Sequence, residues 1–152
     1  MPFTLADLEL VDASVPSTAN FLDAAQLLAE TGLAAVAVVD EQRRVVGLFT
    51  DDDLVAGLFP RYLRELRHTM FALDDETVLA ERARHMCVEP VLQCMSKPDT
   101  IHVDTSATHA AERFLHIERG AIAVVDARDR FVGMLTQTEF ARRMLERLPR
   151  DE

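Results

Sequence analysis

Residues 38–53 read VVDEQRRVVGLFTDDD, and residues 124–139 read VVDARDRFVGMLTQTE, so one pattern occurs twice at a fixed offset of 86 positions, from Val38 to Val124. Outside these stretches, Ala24-Ala25 falls on Ala110-Ala111 at the same offset. The matches occupy the same places in the order of turns and apolar runs, which indicates an internal duplication. The two halves should therefore share one fold.

Each half contains the same order of predicted elements. Apolar residues recur at i, i+3, i+4 and i+7 from Phe21 and from Ala107, which predicts an amphipathic helix in each half. The β-branched runs 35–39 and 121–125 predict buried strands, each joined through a five-residue polar turn to a second strand. A second helix follows at 51–58 and at 137–148, and short extended segments lie near 13–15 and 100–102. The predicted fold class is α+β, with two β-α-β-β-α repeats.

The boundaries of the helices can be predicted from capping residues. Ser17 or Asn20 is suited to begin the first helix, and Ser106 its counterpart in the second half. Gly32 and Gly120 are expected to end these helices. Residues 1–58 then form the first repeat, 59–93 a helical linker, and 94–152 the second repeat.

The linker is expected to contain two helical stretches. Tyr62, Leu63 and Leu66 continue a helical stripe, and a further helix should begin near Asp74 or Asp75. We expect this insertion to cover an edge of the fold or a partner.

Composition excludes several classes of function. Acidic residues outnumber basic ones by 26 to 16, and the net charge of −10 disfavours binding to a nucleic-acid backbone. The longest apolar run, residues 33–39, is too short for a bilayer, which needs about 20 apolar residues, so we expect no membrane association. The first ten residues have no basic start, which favours a cytoplasmic protein. The two cysteines cannot complete a tetrahedral zinc site, and we predict no metal site.

A threonine stands at the predicted start of the second helix in each half, with an acid three residues later. These pairs are Thr50 with Asp53 and Thr136 with Glu139. A helix N-terminus favours an anion such as phosphate, and the acid could accept hydrogen bonds from sugar hydroxyls. The same spacing is also a capping box, in which the acid satisfies the backbone N–H of the capping residue. Both interpretations remain open on the sequence alone.

The repeated pattern of Val-Val-Asp, a polar turn, Val-Val-Gly, two apolar residues and Thr-x-x-Asp resembles the signature of CBS domains. The resemblance covers roughly residues 5–58 and 94–147. It implies a tandem pair that packs as one pseudo-twofold module with two clefts. It also implies an adenosyl ligand of the AMP, ADP, ATP or S-adenosylmethionine class, with no obligatory cofactor.

The resemblance assigns ligand-binding roles by position. Asp53 resembles the carboxylate that holds ribose hydroxyls, and Thr50 resembles the hydroxyl that contacts ribose or phosphate. Thr136 and Glu139 occupy the equivalent positions in the second repeat. Ser14 and Thr100, near the first strand of each repeat, are the predicted polar contacts. The predicted apolar contacts to the base are Val36, Val38, Ile122 and Val124. Many members have Asp where this chain has Glu139, so Asp53 is the stronger prediction.

Two functions from different classes fit this sequence. The first is a small-molecule sensor that binds an adenosyl nucleotide between the repeats and docks with itself or an effector protein. The second is a dimeric scaffold for protein interaction, without a physiological nucleotide. A homodimer is expected in both, with Leu54, Leu58, Phe140 and Met144 at the contact.

We predict no enzyme activity and no catalytic residues, because the chain has neither a glycine-rich phosphate loop nor a Gly-x-Ser-x-Gly motif.

Overall fold

The structure is a computed structural model, and it describes residues 4–59, 75–117 and 120–149. After a short 3-10 turn at Leu5–Asp7, the first repeat folds as β1, α1, β2, β3 and α2. Their bounds are Ser14–Pro16, Phe21–Thr31, Ala35–Val39, Val45–Thr50 and Asp51–Leu58.

The second repeat has the same order of elements. It consists of β4, α5, β5, β6 and α6, with bounds Thr100–His102, Ala107–His116, Ala121–Val125, Phe131–Thr136 and Gln137–Glu146. The described part of the linker forms α3, Asp75–Cys87, and the short α4, Val91–Cys94. The predicted α+β fold with two β-α-β-β-α repeats is confirmed.

Each repeat contains one three-stranded sheet with its buried strand in the middle. The strand order is β1-β2-β3 in one sheet and β4-β5-β6 in the other. In both, the first pair is parallel and the second antiparallel, and Ala35 pairs with Thr50 as Ala121 pairs with Thr136. The duplication therefore extends to the residue register of the sheets.

The hairpin turns are held by the aspartate that ends each central strand. The Asp40 carboxylate accepts hydrogen bonds from the backbone N–H groups of Gln42 and Arg44, both at 2.9 Å. Asp126 holds the second turn in the same way, and these backbone bonds are the main cause of the lowered pKa of its carboxyl. Such side-chain bonds to the local backbone make Asp favourable in turns. The aspartate in the repeated Val-Val-Asp therefore has a structural role.

The repeats are joined by short segments that pair with the opposite sheet, residues 10–11 and 95–96, here called the crossing segments. Val11 forms two backbone hydrogen bonds with Met134 of β6, of 2.9 and 2.7 Å. Ser96 pairs in the same manner with Leu48 of β3, at 2.8 and 3.1 Å. Each repeat thus adds backbone pairing to the sheet of the other.

Two glycines leave room for these crossings. A Cβ atom at Gly47 would lie 2.3 Å from Met95 Sδ and 2.8 Å from the carbonyl oxygen of Ser96. A Cβ atom at Gly133 would lie 2.6 Å from the Cβ of Leu10. The glycine in each Val-Gly pair is therefore explained by the close approach of the other repeat.

The protein has two hydrophobic core clusters, and each contains residues of both repeats. Alternate residues of β5 face opposite ways, so Ala121 and Ala123 join the core cluster of the first repeat while Ile122 and Val124 join that of the second. Leu5 and Leu8, which precede the first repeat's strands, also belong to the second cluster. Each repeat consequently contributes buried residues to the core cluster of the other.

The four apolar residues expected at a dimer contact pack against the cores of their own repeats. Leu54 and Leu58 contact the first cluster, whereas Phe140 belongs to the second and Met144 packs against it. Other large apolar side chains are exposed on the second repeat's helices, at Leu115 and Leu145. The role of the four residues in dimerisation remains a prediction.

Helix boundaries agree in part with the sequence prediction. Asn20, and not Ser17, begins α1 and accepts a hydrogen bond from the backbone N–H of Asp23. Gly32 ends this helix in the left-handed conformation, with φ of 68°, as predicted. The prediction for Gly120 is wrong, because α5 already ends at His116 with Ile117 as its C-cap.

The linker contributes α3, Asp75–Cys87, in the region where a second linker helix is predicted, and it packs against α1 and α2 of the first repeat. The side chain of Arg82 donates a hydrogen bond of 3.0 Å to the carbonyl oxygen of Gly57 in α2. The stripe predicted at Tyr62, Leu63 and Leu66 lies outside the described residues. In the described part of the chain, no helix is long and apolar enough to cross a membrane.

Candidate ligand-binding site

The start of α2 forms a complete capping box. The Thr50 hydroxyl accepts a hydrogen bond from the backbone N–H of Asp53 at 3.1 Å, and the Asp53 carboxylate accepts one from the N–H of Thr50 at 2.9 Å. Thr50 is only 3% exposed, and it is the one buried polar residue among those described. The capping interpretation is confirmed for this pair. Capping explains why the two residues lie side by side.

The Asp53 carboxylate also receives a hydroxyl from the other repeat. Ser96, in the second crossing segment, contacts Oδ1 of Asp53 at 2.8 Å and Oδ2 at 2.9 Å. Oδ2 is shared with the cap, whereas Oδ1 is bound by this hydroxyl alone among the described contacts. Asp53 therefore lies where the two repeats meet and already accepts a hydroxyl from outside its own helix.

The start of α6 is built differently. Thr136 caps the helix by accepting a hydrogen bond from the N–H of Glu139 at 3.0 Å, but the glutamate does not complete the box. Its carboxylate accepts instead from the backbone N–H of Glu9 at 3.1 Å and from Arg142. The Arg142 guanidinium contributes Nε at 2.9 Å and Nη2 at 2.8 Å. The capping-box interpretation is therefore wrong for Glu139.

The electrostatic settings of the two acids follow from these partners. Hydrogen bonding with Arg142 is the main cause of a lowered pKa of the Glu139 carboxyl, with smaller contributions from the Glu9 N–H and the nearby arginine charges. In the described part of the chain, no Lys or Arg forms an ion pair with Asp53. Within the described residues, the Asp53 carboxylate thus has no basic partner. Asp51 and Asp52 add further negative charge to the first turn of α2.

The remaining polar residues of the predicted site lie near the same end of each sheet. Ser14 pairs with Ala37, two residues along β2 from Ala35, the partner of Thr50. In the second repeat, Thr100 pairs with Ala123, two residues along β5 from Ala121, the partner of Thr136. Both are half-buried. The sheet register brings each of them towards the threonine of its own repeat.

The predicted apolar contacts lie inside the protein. Val36, Val38, Ile122 and Val124 have no solvent exposure and pack in the two core clusters. Their assignment as ligand contacts stays a prediction, and in this structure their neighbours are other core side chains.

One titratable group lies beside the first helix start. The pKa of the Cys94 thiol is raised, first by burial and then by the negative charges of Glu89 and Asp53. The thiol is therefore held in its protonated form near neutral pH. No group of three or more His, Cys, Asp or Glu residues within the described ranges is arranged to hold a metal ion.

Sequence reasoning missed the partners that distinguish the two acids. Arg142 stands three residues after Glu139, a helical spacing at which opposite charges meet, so this pair could have been found. Ser96 lies 43 positions from Asp53 and Glu9 lies 130 positions from Glu139. No local pattern indicates either of these contacts.

Fold and site together define a duplicated α+β module. In each repeat, a threonine caps the N-terminus of the second helix, and a segment distant in sequence packs beside this N-terminus. The CBS domain family model matches residues 9–59 and 88–146, which is more than half of the chain. The chain belongs to the CBS domain family, as two tandem repeats. Such pairs are in general regulatory modules rather than enzymes.

Solved structures of CBS proteins have the same fold. CBSX2 from Arabidopsis thaliana is 22% identical with a TM-score of 0.73, and the match covers 96% of each chain. A CBS domain-containing protein of unknown function from Kribbella flavida is 17% identical with a TM-score of 0.78, and the match covers 95% of this chain and 99% of that one. CBSX2 in complex with AMP is 22% identical, with a TM-score of 0.69 and coverage of 97% and 99%. The search of curated proteins found no match.

Proposed function

We propose that this chain is a ligand-sensing regulatory module that binds an adenosyl nucleotide at the start of α2. The class is AMP, ADP, ATP or S-adenosylmethionine, and we expect the module to act as a cytosolic homodimer that changes its docking with an effector when the ligand binds. Membership of the CBS domain family and the AMP complex of the similar CBSX2 structure support this class of ligand.

The observation that carries the proposal is the hydroxyl contact of Asp53. The Ser96 hydroxyl lies 2.8 Å from Oδ1, at a carboxylate without a described basic partner. A ribose hydroxyl can make the same kind of hydrogen bond, and bonds to a charged acceptor are stronger than neutral ones. Because the cap uses Oδ2, Oδ1 can serve a ligand while the start of the helix stays intact.

The acidic first turn favours some members of the ligand class over others. Asp51, Asp52 and Asp53 all lie in the first turn of α2, where they oppose the phosphates of a nucleotide. A triphosphate should therefore bind better with Mg²⁺, which offsets its charge. AMP and S-adenosylmethionine carry less negative charge and need no cation.

A thermal-shift comparison tests the proposal. A ligand selective for the folded state stabilises it by about 2.7 kcal/mol at 100 times its Kd, which corresponds to a rise in Tm of roughly 5–10 °C for a chain of this size. We expect such a rise with at least one of AMP, ADP, ATP and S-adenosylmethionine at millimolar concentration. Asp53→Asn should lose the rise, because an amide oxygen accepts the sugar hydroxyls more weakly than a carboxylate.

The matched control is Asp52→Asn, which removes the same charge from the same helical turn at an exposed position. It should retain the rise in Tm. Equal responses of the two variants would contradict the role of Asp53.

A second function is supported by the exposed apolar residues of the second repeat. Leu115 is 82% exposed on α5, and Leu145 is 67% exposed on α6. Such residues are suited to a protein contact, as a dimeric scaffold without a nucleotide requires. If the wild-type chain shows no thermal shift with any of the four ligands, the scaffold is the better description.

A further inference from the structure

The two predicted clefts differ in the chemistry that holds their acid. At the start of α2, the Asp53 carboxylate accepts only neutral donors in the described contacts, the Ser96 hydroxyl and the N–H of Thr50. At the start of α6, the Glu139 carboxylate is bound by the Arg142 guanidinium through two nitrogens, at 2.9 and 2.8 Å. The acids at equivalent positions of the two repeats, Asp53 and Glu139, therefore bind different kinds of hydrogen-bond donor.

We propose that the chain binds one nucleotide, at Asp53, and that Arg142 keeps Glu139 from serving a second one. This inference rests on the proposed function and names the residue that makes the two clefts unequal. Arg142 acts here as a specificity-determining residue that contacts the acid and not the ligand.

The difference follows from what a ribose would have to displace. At Asp53 a sugar hydroxyl replaces the hydroxyl of Ser96, so that one neutral donor is exchanged for another of the same kind. At Glu139 it would replace a two-point, charge-assisted bond to a guanidinium, which a neutral hydroxyl cannot match. The lowered pKa of Glu139 agrees with a carboxylate already stabilised by its partner.

Neighbouring contacts hold Arg142 and Glu139 in place. The guanidinium also pairs with Glu146 one turn further along α6, and the N–H of Glu9 binds Glu139 from the first repeat's N-terminal segment. The Glu139 side chain is 12% exposed and that of Arg142 is 49% exposed, so the carboxylate is partly shielded while the guanidinium faces solvent. The crossing segment that faces this helix start has Leu10 and Val11, so it offers no hydroxyl corresponding to that of Ser96.

Isothermal titration calorimetry of the full chain with AMP measures the number of sites directly. We expect one equivalent of AMP per wild-type chain and none for Asp53→Asn. In Arg142→Ala the freed Glu139 should admit a second equivalent, with weaker affinity than the first. Stoichiometry is the informative measurement, because a merely structural role of Arg142 would change stability without adding a site.

The matched control is Arg143→Ala, which removes the adjacent arginine of the same helix. Arg143 lies 3.4 Å from Glu146 and makes no described hydrogen bond to Glu139. This variant should bind one equivalent, as the wild-type chain does. Circular dichroism of all variants verifies that they are folded.

The outcomes separate the two proposals. Two equivalents of similar affinity in the wild-type chain, or a single equivalent in Arg142→Ala, would overturn this inference and leave nucleotide binding intact. A wild-type chain that binds neither AMP nor ATP with Mg²⁺ nor S-adenosylmethionine would overturn the proposed function and this inference with it.

Discussion

Asp53 combines two tasks at the residue scale. One carboxylate oxygen completes the capping box of α2, and the other faces the hydroxyl of Ser96. Capping and ligand binding were alternatives on the sequence, yet the geometry allows one side chain to perform both. A substitution at Asp53 should consequently be compared with Asp52, so that a loss of charge is not mistaken for a loss of binding.

The neighbouring thiol gives a residue-scale prediction about the charge of Asp53. The pKa of Cys94 is raised in part by that carboxylate, so removing the charge should lower the pKa and increase the reactive thiolate fraction. In a Cys87→Ser background, we expect Asp53→Asn to speed alkylation of Cys94 by iodoacetamide at pH 8, because a larger fraction of the thiol is then thiolate.

The control for this measurement is again Asp52→Asn, since Asp52 does not contribute to the raised pKa of the thiol. Its alkylation rate should equal that of the Cys87→Ser parent. Slower alkylation in Asp53→Asn than in the parent would show that the carboxylate does not act on the thiol as described.

At the scale of elements, the β-strands are shaped by the crossing segments as well as by their own hairpins. β3 pairs with β2 on one side, and Leu48 also pairs with Ser96 of the other repeat. β6 has the corresponding arrangement with Val11. The third strand of each sheet is therefore covered at the crossing, which limits the exposed backbone groups that make edge strands prone to association.

The crossing predicts that Gly47 tolerates no side chain. An alanine there would place its Cβ 2.8 Å from the carbonyl oxygen of Ser96, which is fixed by backbone pairing, and 2.3 Å from Met95 Sδ. We expect Gly47→Ala to lower the free energy of unfolding by about 1–3 kcal/mol, the usual cost of overpacking a tight site. Urea denaturation measures the change.

Gly120→Ala is the matched control for this substitution. Among the residues that the structure describes, a Cβ atom at Gly120 meets the Cβ of Ala34, at the ordinary contact distance of 3.5 Å. Its stability should stay within about 0.5 kcal/mol of the wild-type value. Equal stability of the two alanine variants would mean that the crossing segment does not lie against β3.

At the scale of the whole molecule, the repeats depend on each other for their cores. Leu5 and Leu8 lie before β1 in the first repeat but are buried with Phe114 and Phe140 of the second. Ala121 and Ala123 of the second repeat are buried with the first. We therefore expect the described repeats to unfold together in one cooperative transition.

Leu5 tests this mutual dependence. Its side chain is fully buried, so Leu5→Ala should lower the free energy of unfolding by about 2–5 kcal/mol, as for other buried leucines. Leu22→Ala, at a position 39% exposed on α1, should cost much less. Chemical denaturation followed by circular dichroism compares them, and an equal, small cost for both would contradict the placement of the N-terminal segment in the second core.

The sequence by itself determined the duplication, the order of strands and helices, and the threonine N-caps of α2 and α6. These features depend on hydrophobic period, turn residues and capping residues, which act over a few positions along the chain. The presence of a helix in the linker, α3, and the five-residue hairpin turns were predicted correctly for the same reason.

Only the tertiary structure decided how the two helix starts differ. Ser96 reaches Asp53 across 43 positions and Glu9 reaches Glu139 across 130, through backbone paths that no local preference specifies. Whether the Glu139 carboxylate binds the backbone N–H of Thr136 or the guanidinium of Arg142 also depends on which donors lie near it in the folded chain. Contacts of this kind arise when the crossing segments pack against the opposite repeat, so they depend on the arrangement of the whole chain.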